Sequence, residues 1–207
     1  APIAVVCGED AERCRTVSML DSAITHFDPR CQLACASFNA AISNAIYGEA
    51  DSPIALYDAA LDELGPAAEK LRREYPRHIS DIDRAQFDLS CDLVLAMEDD
   101  PELYPPHLDG FGKAQGFVRV AYRLAFWELL HTSSYEAGVI DAVNRGGDAD
   151  TNGAIVGGLL GAFYGGDSIP ADWKNKVMGA LQSQADGPWR DTYHPKQFQV
   201  LLDWLSP

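Results

Sequence analysis

Helix-start signals recur along this chain of 207 residues. Asp28-Pro29 and Ser52-Pro53 each place a capping side chain directly before a proline, which suits the first turn of a helix because the N–H that proline lacks has no helical partner there. Apolar residues follow the first signal at the spacing of one helix face, at positions 31, 35, 38, 42 and 46. Strand signals are few and short, so the sequence predicts a mostly helical fold.

Similar patterns divide the rest of the chain. Gly65-Pro66 predicts the end of one helix and the beginning of the next. The stretch from 80 to 116 is predicted to be largely a long connection, because acids and prolines interrupt it. Further helices are predicted over 53 to about 64, 90–97, 118–130, 134–144 and 154–164, with two more starting at Ile169-Pro170 and at Pro195.

Composition restricts the classes of function. Hydrophobic residues make up 47% of the chain and charged residues 23%, as in a soluble globular protein. The net charge is −15 without a basic patch, which disfavours nucleic-acid binding, and no apolar run approaches the roughly 18 residues of a membrane span. The cysteines are odd in number and lack zinc-finger spacing, which indicates reduced, buried thiols in a cytoplasmic protein: Cys7, Cys14, Cys31, Cys35 and Cys91.

The run from Arg145 to Gly153 carries the strongest chemical signal. Asp148 and Asp150 place two carboxylates at i and i+2, and Thr151 adds a hydroxyl. One turn of chain can therefore offer three oxygen ligands to a hard divalent cation at about 2.0–2.6 Å. Glycines on both sides let the backbone bend and approach a ligand closely. These residues predict a metal site.

Two other interpretations of this run compete. In the spacing of an EF-hand, Asp148, Asp150 and Asn152 would take positions 1, 3 and 5. The bidentate Glu that such a loop needs at position 12 is replaced by Leu159, which argues against a calcium loop. The other interpretation is a helix N-terminus capped by Asp150 or Thr151, and on physical grounds alone it stays open beside the metal site.

Three glycines follow the run, within the apolar helix predicted after it. Gly157, Gly158 and Gly161 lie at i, i+1 and i+4. Each glycine destabilises a helix interior by about 1 kcal/mol relative to alanine. Their spacing therefore predicts that another backbone packs very close to this helix.

Residues 143–155, Val-Asn-Arg-Gly-Gly-Asp-Ala-Asp-Thr-Asn-Gly-Ala-Ile, resemble the C-terminal metal motif of the ADP-ribosylglycohydrolase family. Three further blocks resemble that family in order and spacing. They are Ile24-Thr25-His26-Phe27-Asp28-Pro29, Gly116-Phe117-Val118 followed by Ala125-Phe126-Trp127, and Ile169-Pro170 with Trp173. The resemblance spans roughly residues 1–175.

The resemblance implies an all-α fold, an orthogonal multi-helix bundle with little or no β structure. It also implies a hydrolase that uses two adjacent Mg²⁺ or Mn²⁺ ions. The enzyme would cleave the glycosidic bond that joins ADP-ribose to a modified arginine or serine side chain of a protein, or to a small conjugate. The implied metal ligands are Asp148, Asp150 and Thr151, and the implied substrate-binding residues are His26, Gly116, Phe117, Gly147 and Asn152. Phe117 would stack on the adenosine where relatives commonly carry a tyrosine.

The resemblance also implies a place for these residues within a larger domain. Residues 1–4 resemble a segment in the middle of the family domain, which follows a region with an Asp-Asp-Thr metal motif and the acidic catalytic residues. Residues 1–207 are therefore expected to be the C-terminal part of one domain, whose catalytic residues lie in an N-terminal segment, present as a second chain or partner. The alternative is a non-catalytic homologue that binds ADP-ribose or a related nucleotide, or that has a structural role.

Overall fold

The computed structural model describes residues 1–48, 50–99, 116–179 and 194–205. Within these ranges the chain is all-α, as predicted, and contains no strand. The helices are α1 Pro2–Cys7, α2 Ala11–Thr25, α3 Pro29–Tyr47, α4 Pro53–Glu74, α5 Ile79–Ala96, α6 Val118–His131, α7 Tyr135–Asn144, α8 Ala149–Tyr164, α9 Ala171–Met178 and α10 Phe198–Leu205. Among these helices, none combines the length and the apolar content that a bilayer span requires.

The predicted helix starts are confirmed at their caps. The Asp28 carboxylate accepts a hydrogen bond from the Arg30 backbone N–H at 2.8 Å, and Pro29 begins α3. At the start of α7, the Ser134 hydroxyl accepts one from the Ala137 backbone N–H at 3.1 Å. Each bond satisfies an N–H that has no partner inside its helix.

The predicted break at Gly65-Pro66 is wrong, because α4 runs through it from Pro53 to Glu74. Proline in a helix interior removes one hydrogen bond and destabilises the helix by about 3 kcal/mol. The buried face of α4 continues across the proline, with Leu64 on one side and Ala68 and Leu71 on the other, all at most 1% exposed. Burial of each large apolar side chain contributes about 1.5–3 kcal/mol, which offsets the local penalty.

The connection predicted after residue 80 is wrong up to residue 89, because α5 begins at Ile79 and not near 90. Ile82, Ala85, Leu89 and Leu93 are at most 2% exposed and lie on one helix face. The exposed face carries charged residues but also Phe87 and Val94, which are 68% and 60% exposed, and this mixture conceals the spacing in the sequence. The later part of the predicted connection, 100–115, lies outside the described residues.

Phe126 of α6 lies in the centre of the core and is fully buried. Its ring meets those of Phe38, Tyr57 and Tyr122 edge to face, with centroids 5.1–6.5 Å apart. Such contacts favour a fixed geometry among large side chains. They join α6 to α3 and α4, while α8 packs on α3, α6 and α7.

The glycines of α8 accommodate side chains and not the predicted backbone. A Cβ at Gly157 would lie 3.2 Å from the Tyr135 hydroxyl oxygen, and one at Gly161 would lie 3.6 Å from the same ring. At Gly158 the nearest atom is the Ala1 Cβ, at 3.7 Å. The small residues therefore make room for an aromatic side chain from α7.

Candidate functional site

A cavity of about 580 Å³ opens where α2, α3, α6 and α8 meet. Four of the residues predicted to bind metal or substrate line it, although they come from distant parts of the chain: His26, Gly116, Thr151 and Asn152. A volume of this size is in the range of small-molecule sites. The fold thus brings residues from three separate sequence blocks to one place.

His26 lies at the C-terminal end of α2, on the exposed side of this cavity. Its backbone N–H donates to the Ser22 carbonyl oxygen at 2.7 Å, which ends the helix. Its ring Nδ1 lies 2.9 Å from the Thr25 hydroxyl oxygen, so the second ring nitrogen is not engaged by this bond. The imidazole is oriented and keeps one nitrogen for a ligand.

Two consecutive glycines lead into the candidate metal motif. After α7, Gly146 has φ of +79° and Gly147 has φ of +67°, both in the left-handed region that glycine adopts without steric strain. Asp148 follows as the N-cap residue of α8. The turn explains why the sequence places Gly-Gly directly before the first carboxylate.

The Asp148 carboxylate makes no capping hydrogen bond with the helix it precedes. Asp150 and Thr151 lie in the first turn of α8 and are exposed to solvent. The interpretation that Asp150 or Thr151 caps the helix is therefore wrong, because neither is the N-cap residue. Two carboxylates and a hydroxyl stay available at the positive end of the helix dipole.

Asp148 does not line the cavity, but it lies beside the cavity edge formed by Gly116. A Cβ built on Gly116, whose φ is +72°, would be 3.8 Å from Oδ2 of Asp148. The backbone at Gly116 and the candidate metal ligand are therefore neighbours, although 32 positions separate them in the sequence. This contact connects the candidate metal motif to the candidate substrate cavity.

The side-chain oxygens of Asp148, Asp150 and Thr151 suit a hard cation, but they provide only part of the ligands that it needs. Carboxylate and hydroxyl oxygens are the ligands that Mg²⁺ and Mn²⁺ prefer. Within the described ranges, no three His, Cys, Asp or Glu side chains come together in a way that could hold a metal ion. Asp148, Asp150 and Thr151 therefore fit part of a coordination shell, and further ligands are needed to complete it.

The burial of Leu159 and the extent of α8 exclude the calcium-loop interpretation. Leu159, which stands where an EF-hand needs its last ligand, is fully buried in the core. Residues 149–164 form one α-helix, whereas an EF-hand needs a loop over most of that stretch.

Phe117 and Gly147 lie outside the residues that line the cavity. Phe117 is the N-cap residue of α6, half-buried and next to Gly116. Gly147 forms the second half of the turn before Asp148. Their assignment as substrate-binding residues stays a prediction.

The floor of the cavity comes from residues that the sequence did not single out for a site. Cys31, Cys35 and Phe38 of α3 and Tyr122 of α6 lie along it. Burial raises the pKa of the Cys35 thiol, and burial raises that of the Tyr122 phenol far more. Both groups therefore stay neutral at physiological pH and add no charge to the cavity. The i, i+4 spacing of the two cysteines was the available signal, and it indicated only a small apolar helix face.

Electrostatics at the cavity do not favour a bare anion. Among the described residues that line it, none is a lysine or an arginine, and Asp21 contributes a carboxylate. The N-terminal turn of α8 supplies backbone N–H groups and the positive end of a helix dipole. These N–H groups could bind an anionic ligand.

The chain belongs to the ADP-ribosylglycohydrolase family, whose model matches residues 1–198. It is similar to the ADP-ribosyl-[dinitrogen reductase] glycohydrolase of Rhodospirillum rubrum, with 50% identity over 66 residues, which are 32% of this chain and 22% of that protein. It is also similar to ADP-ribosylarginine hydrolase Tri1 of Serratia proteamaculans (strain 568), with 32% identity over 66 residues, 32% of this chain and 18% of the relative. Tri1 of Pseudomonas putida (strain GB-1) is 31% identical over 72 residues, 35% of this chain and 19% of that protein. The matched segments thus span about a fifth of each relative, and no solved structure is significantly similar to this chain.

Proposed function

We propose that this chain forms the ADP-ribose cavity and part of the metal centre of a hydrolase that cleaves the glycosidic bond between ADP-ribose and an acceptor. The observation that carries the proposal is the convergence of His26, Gly116, Thr151 and Asn152 on one cavity, with Asp148 beside it. The family of the chain makes this chemistry the first candidate.

Asp148, Asp150 and Thr151 would hold Mg²⁺ or Mn²⁺ in this proposal. A pair of such ions would supply Lewis acidity and would offset the charge of a diphosphate. The described residues offer too few ligands for two ions. The remaining ligands and the catalytic acid are therefore proposed to come from residues outside those described.

The residues of this chain would bind and orient the ADP-ribose. Asn152, which is 4% exposed, brings an amide to the cavity wall. His26 stands at the rim with one ring nitrogen free of the Thr25 contact. Phe117 is proposed to stack on the adenine, since it precedes α6 next to the glycine that lines the cavity.

An arginine side chain is the acceptor we favour, within an ADP-ribosylated protein. Two similar proteins are named as ADP-ribosylarginine hydrolases. The exposed carboxylate of Asp21 at the cavity would attract a guanidinium group.

A second candidate function is the binding of ADP-ribose without hydrolysis. It is favoured by one observation: within the described part of the chain, no three His, Cys, Asp or Glu side chains form a group that could hold a metal ion. The two functions differ in turnover and not in the cavity that they need.

The test begins with the mass of the purified protein under native and denaturing conditions, which shows whether a second polypeptide accompanies the chain. Release of ADP-ribose from ADP-ribosylated arginine and serine peptides is then measured with Mg²⁺, Mn²⁺ or Ca²⁺. We expect Mg²⁺- or Mn²⁺-dependent release that Asp148→Asn abolishes.

Asp172→Asn is the matched control, because Asp172, like Asp148, is an acid at the start of a helix but is paired with Lys176 on the surface of α9. It should retain the activity of the parent protein. Full activity in Asp148→Asn would contradict the metal assignment. Binding of ADP-ribose without release from either peptide would favour the second function.

A further inference from the structure

Directly behind the two-glycine turn lies a buried acidic side chain that the site does not use. Glu128 of α6 is 0% exposed. Neither of its carboxylate oxygens has a hydrogen-bond partner among the described residues. The neighbouring charged groups come from α7 and from the residue that follows it: the Asp141 carboxylate and the Arg145 guanidinium, whose Nε is 3.6 Å from Oε1 of Glu128.

Arg145 is restrained by three different contacts. Its Nε donates to the Asp141 carboxylate, and its backbone N–H donates to the Asp141 carbonyl oxygen at 3.1 Å. Its guanidinium lies 4.3 Å from the centre of the Trp127 ring. Trp127 is itself fixed, since its indole N–H donates to the Glu98 carbonyl oxygen at 2.9 Å. Ion pairing and cation–π contact together hold a long side chain that would otherwise sample many rotamers.

Few contacts hold the turn after Arg145; one is the hydrogen bond from the Gly146 N–H to the Val143 carbonyl oxygen, at 3.2 Å. Around Gly146, no atom lies within 4 Å of the position that a Cβ would occupy. Gly146 and Gly147 also have no side chains to pack, and both occupy the left-handed region. The direction in which Asp148 leaves the turn therefore depends on how firmly the turn is held at its ends.

We propose that Arg145 is a positioning residue, which Asp141, Glu128 and Trp127 fix so that the two-glycine turn aims Asp148 at the Gly116 edge of the cavity. This inference rests on the proposed function in one respect, namely that Asp148 binds a metal ion. The geometry of the turn itself does not depend on that assumption.

The charges of Glu128, Asp141 and Arg145 balance when Glu128 carries a proton. Burial, together with the neighbouring Asp141, raises the pKa of Glu128 to about 9, and Arg145 opposes that rise. Burial alone would raise the pKa of Asp141, but the neighbouring Glu128 and the Arg145 guanidinium lower it below its usual value. At neutral pH the cluster therefore holds one anion, Asp141, and one cation, Arg145. The Glu128 proton can point to Asp141 and satisfy one otherwise unbonded oxygen.

The test compares Arg145→Met with the parent protein by amide hydrogen exchange and by titration with Mn²⁺ followed by electron paramagnetic resonance. We expect faster exchange over residues 146–150, unchanged exchange in α3, and Mn²⁺ binding weakened about 10- to 100-fold, as for other residues that orient metal ligands. Arg145→Lys, which keeps the cation without the planar guanidinium, should recover part of the affinity.

Arg15→Lys is the matched control, because Arg15 also pairs with two acids, Glu12 and Glu63, but on α2 and α4. It should leave both readouts unchanged. Equal exchange over 146–150 in Arg145→Met and the parent protein would overturn the positioning role, whether or not the metal binds. Faster exchange in a protein that never binds Mn²⁺ would support the role of Arg145 and contradict the metal centre of the proposed function.

Discussion

Helices α4 and α6 are both central to the core, but they bury different kinds of residues. In α4 the buried face is mostly apolar, with Leu56, Leu64 and Leu71 at most 1% exposed, and its buried acid, Glu63, is paired with Arg15 of α2. In α6 nearly every residue from Val120 to Leu129 is buried, including charged ones. Helix α4 stabilises the core mainly through apolar contacts, whereas α6 also buries polar groups that need hydrogen-bond or ion-pair partners.

The buried ionisable groups of α6 each contact a different neighbouring segment. The Arg123 guanidinium donates to the buried Asp92 carboxylate of α5, from Nε at 3.0 Å. Glu128 faces Asp141 and Arg145. Burial of ionised groups destabilises a protein unless the partners are in place. The comparison indicates that α6 contacts α5 and the end of α7 through polar groups, whereas α4 packs mainly through apolar ones.

The largest effect is expected from breaking the apolar face of α4. Leu64→Ala should lower the free energy of unfolding by about 2–5 kcal/mol, because it leaves a cavity in a packed core. Urea unfolding followed by circular dichroism measures the change. Leu61→Ala is the control on the same helix, since Leu61 is 36% exposed, and it should lower stability much less. Equal losses in the two variants would show that burial does not distinguish the faces of α4.

A smaller effect is expected at Glu128 in α6. Its substitution should preserve stability as the pH rises, whereas Leu64→Ala lowers stability. The native pKa is raised to about 9 from an ordinary value of 4.5. Between these values the unfolded chain has lost the proton that the native protein retains, so stability falls as the pH rises. One pKa unit corresponds to about 1.4 kcal/mol, so this group removes at most about 3 kcal/mol between pH 6 and pH 8. Glu128→Gln should abolish that fall.

Urea unfolding at pH 6 and pH 8 tests this expectation. Glu136→Gln serves as the control, because Glu136 is an exposed acid on α7. It should leave the pH dependence of the parent protein unchanged. A Glu128→Gln variant that loses as much stability as the parent protein between the two pH values would show that Glu128 is ionised in the folded state.

The smallest effect is expected in the turn that α6 helps to hold. Gly147→Ala places a Cβ at φ of +67°, which destabilises the fold by about 1–2 kcal/mol. Gly166→Ala is the control, because no atom lies within 4 Å of its Cβ position and its φ is outside the left-handed region. Thermal unfolding measures both variants. A Gly147→Ala protein as stable as Gly166→Ala would mean that the turn adapts to another conformation.

The sequence predicted the parts of the fold that depend on a few neighbouring residues. Caps at Asp28, Ser52 and Ser134 marked three helix starts, and the structure confirms all three. The prediction from sequence was wrong at Gly65-Pro66 and over 79–89, where burial against other helices outweighed local signals. A proline penalty is visible in one turn of sequence, but the apolar contacts that offset it come from α3 and α5.

For the site, too, the sequence predicted what depends on single residues, whereas the tertiary structure decided which distant residues meet. Local chemistry predicted that the Asp148, Asp150 and Thr151 oxygens bind a metal ion, which stays a prediction, and that the backbone bends at Gly146 and Gly147, where the structure has positive φ. Only the tertiary structure brought Gly116 next to Asp148 and buried Glu128 between Asp141 and Arg145. Burial and proximity between distant positions depend on how helices pack. A glutamate in a helical pattern looks like a solvated charge until its neighbours in space are known.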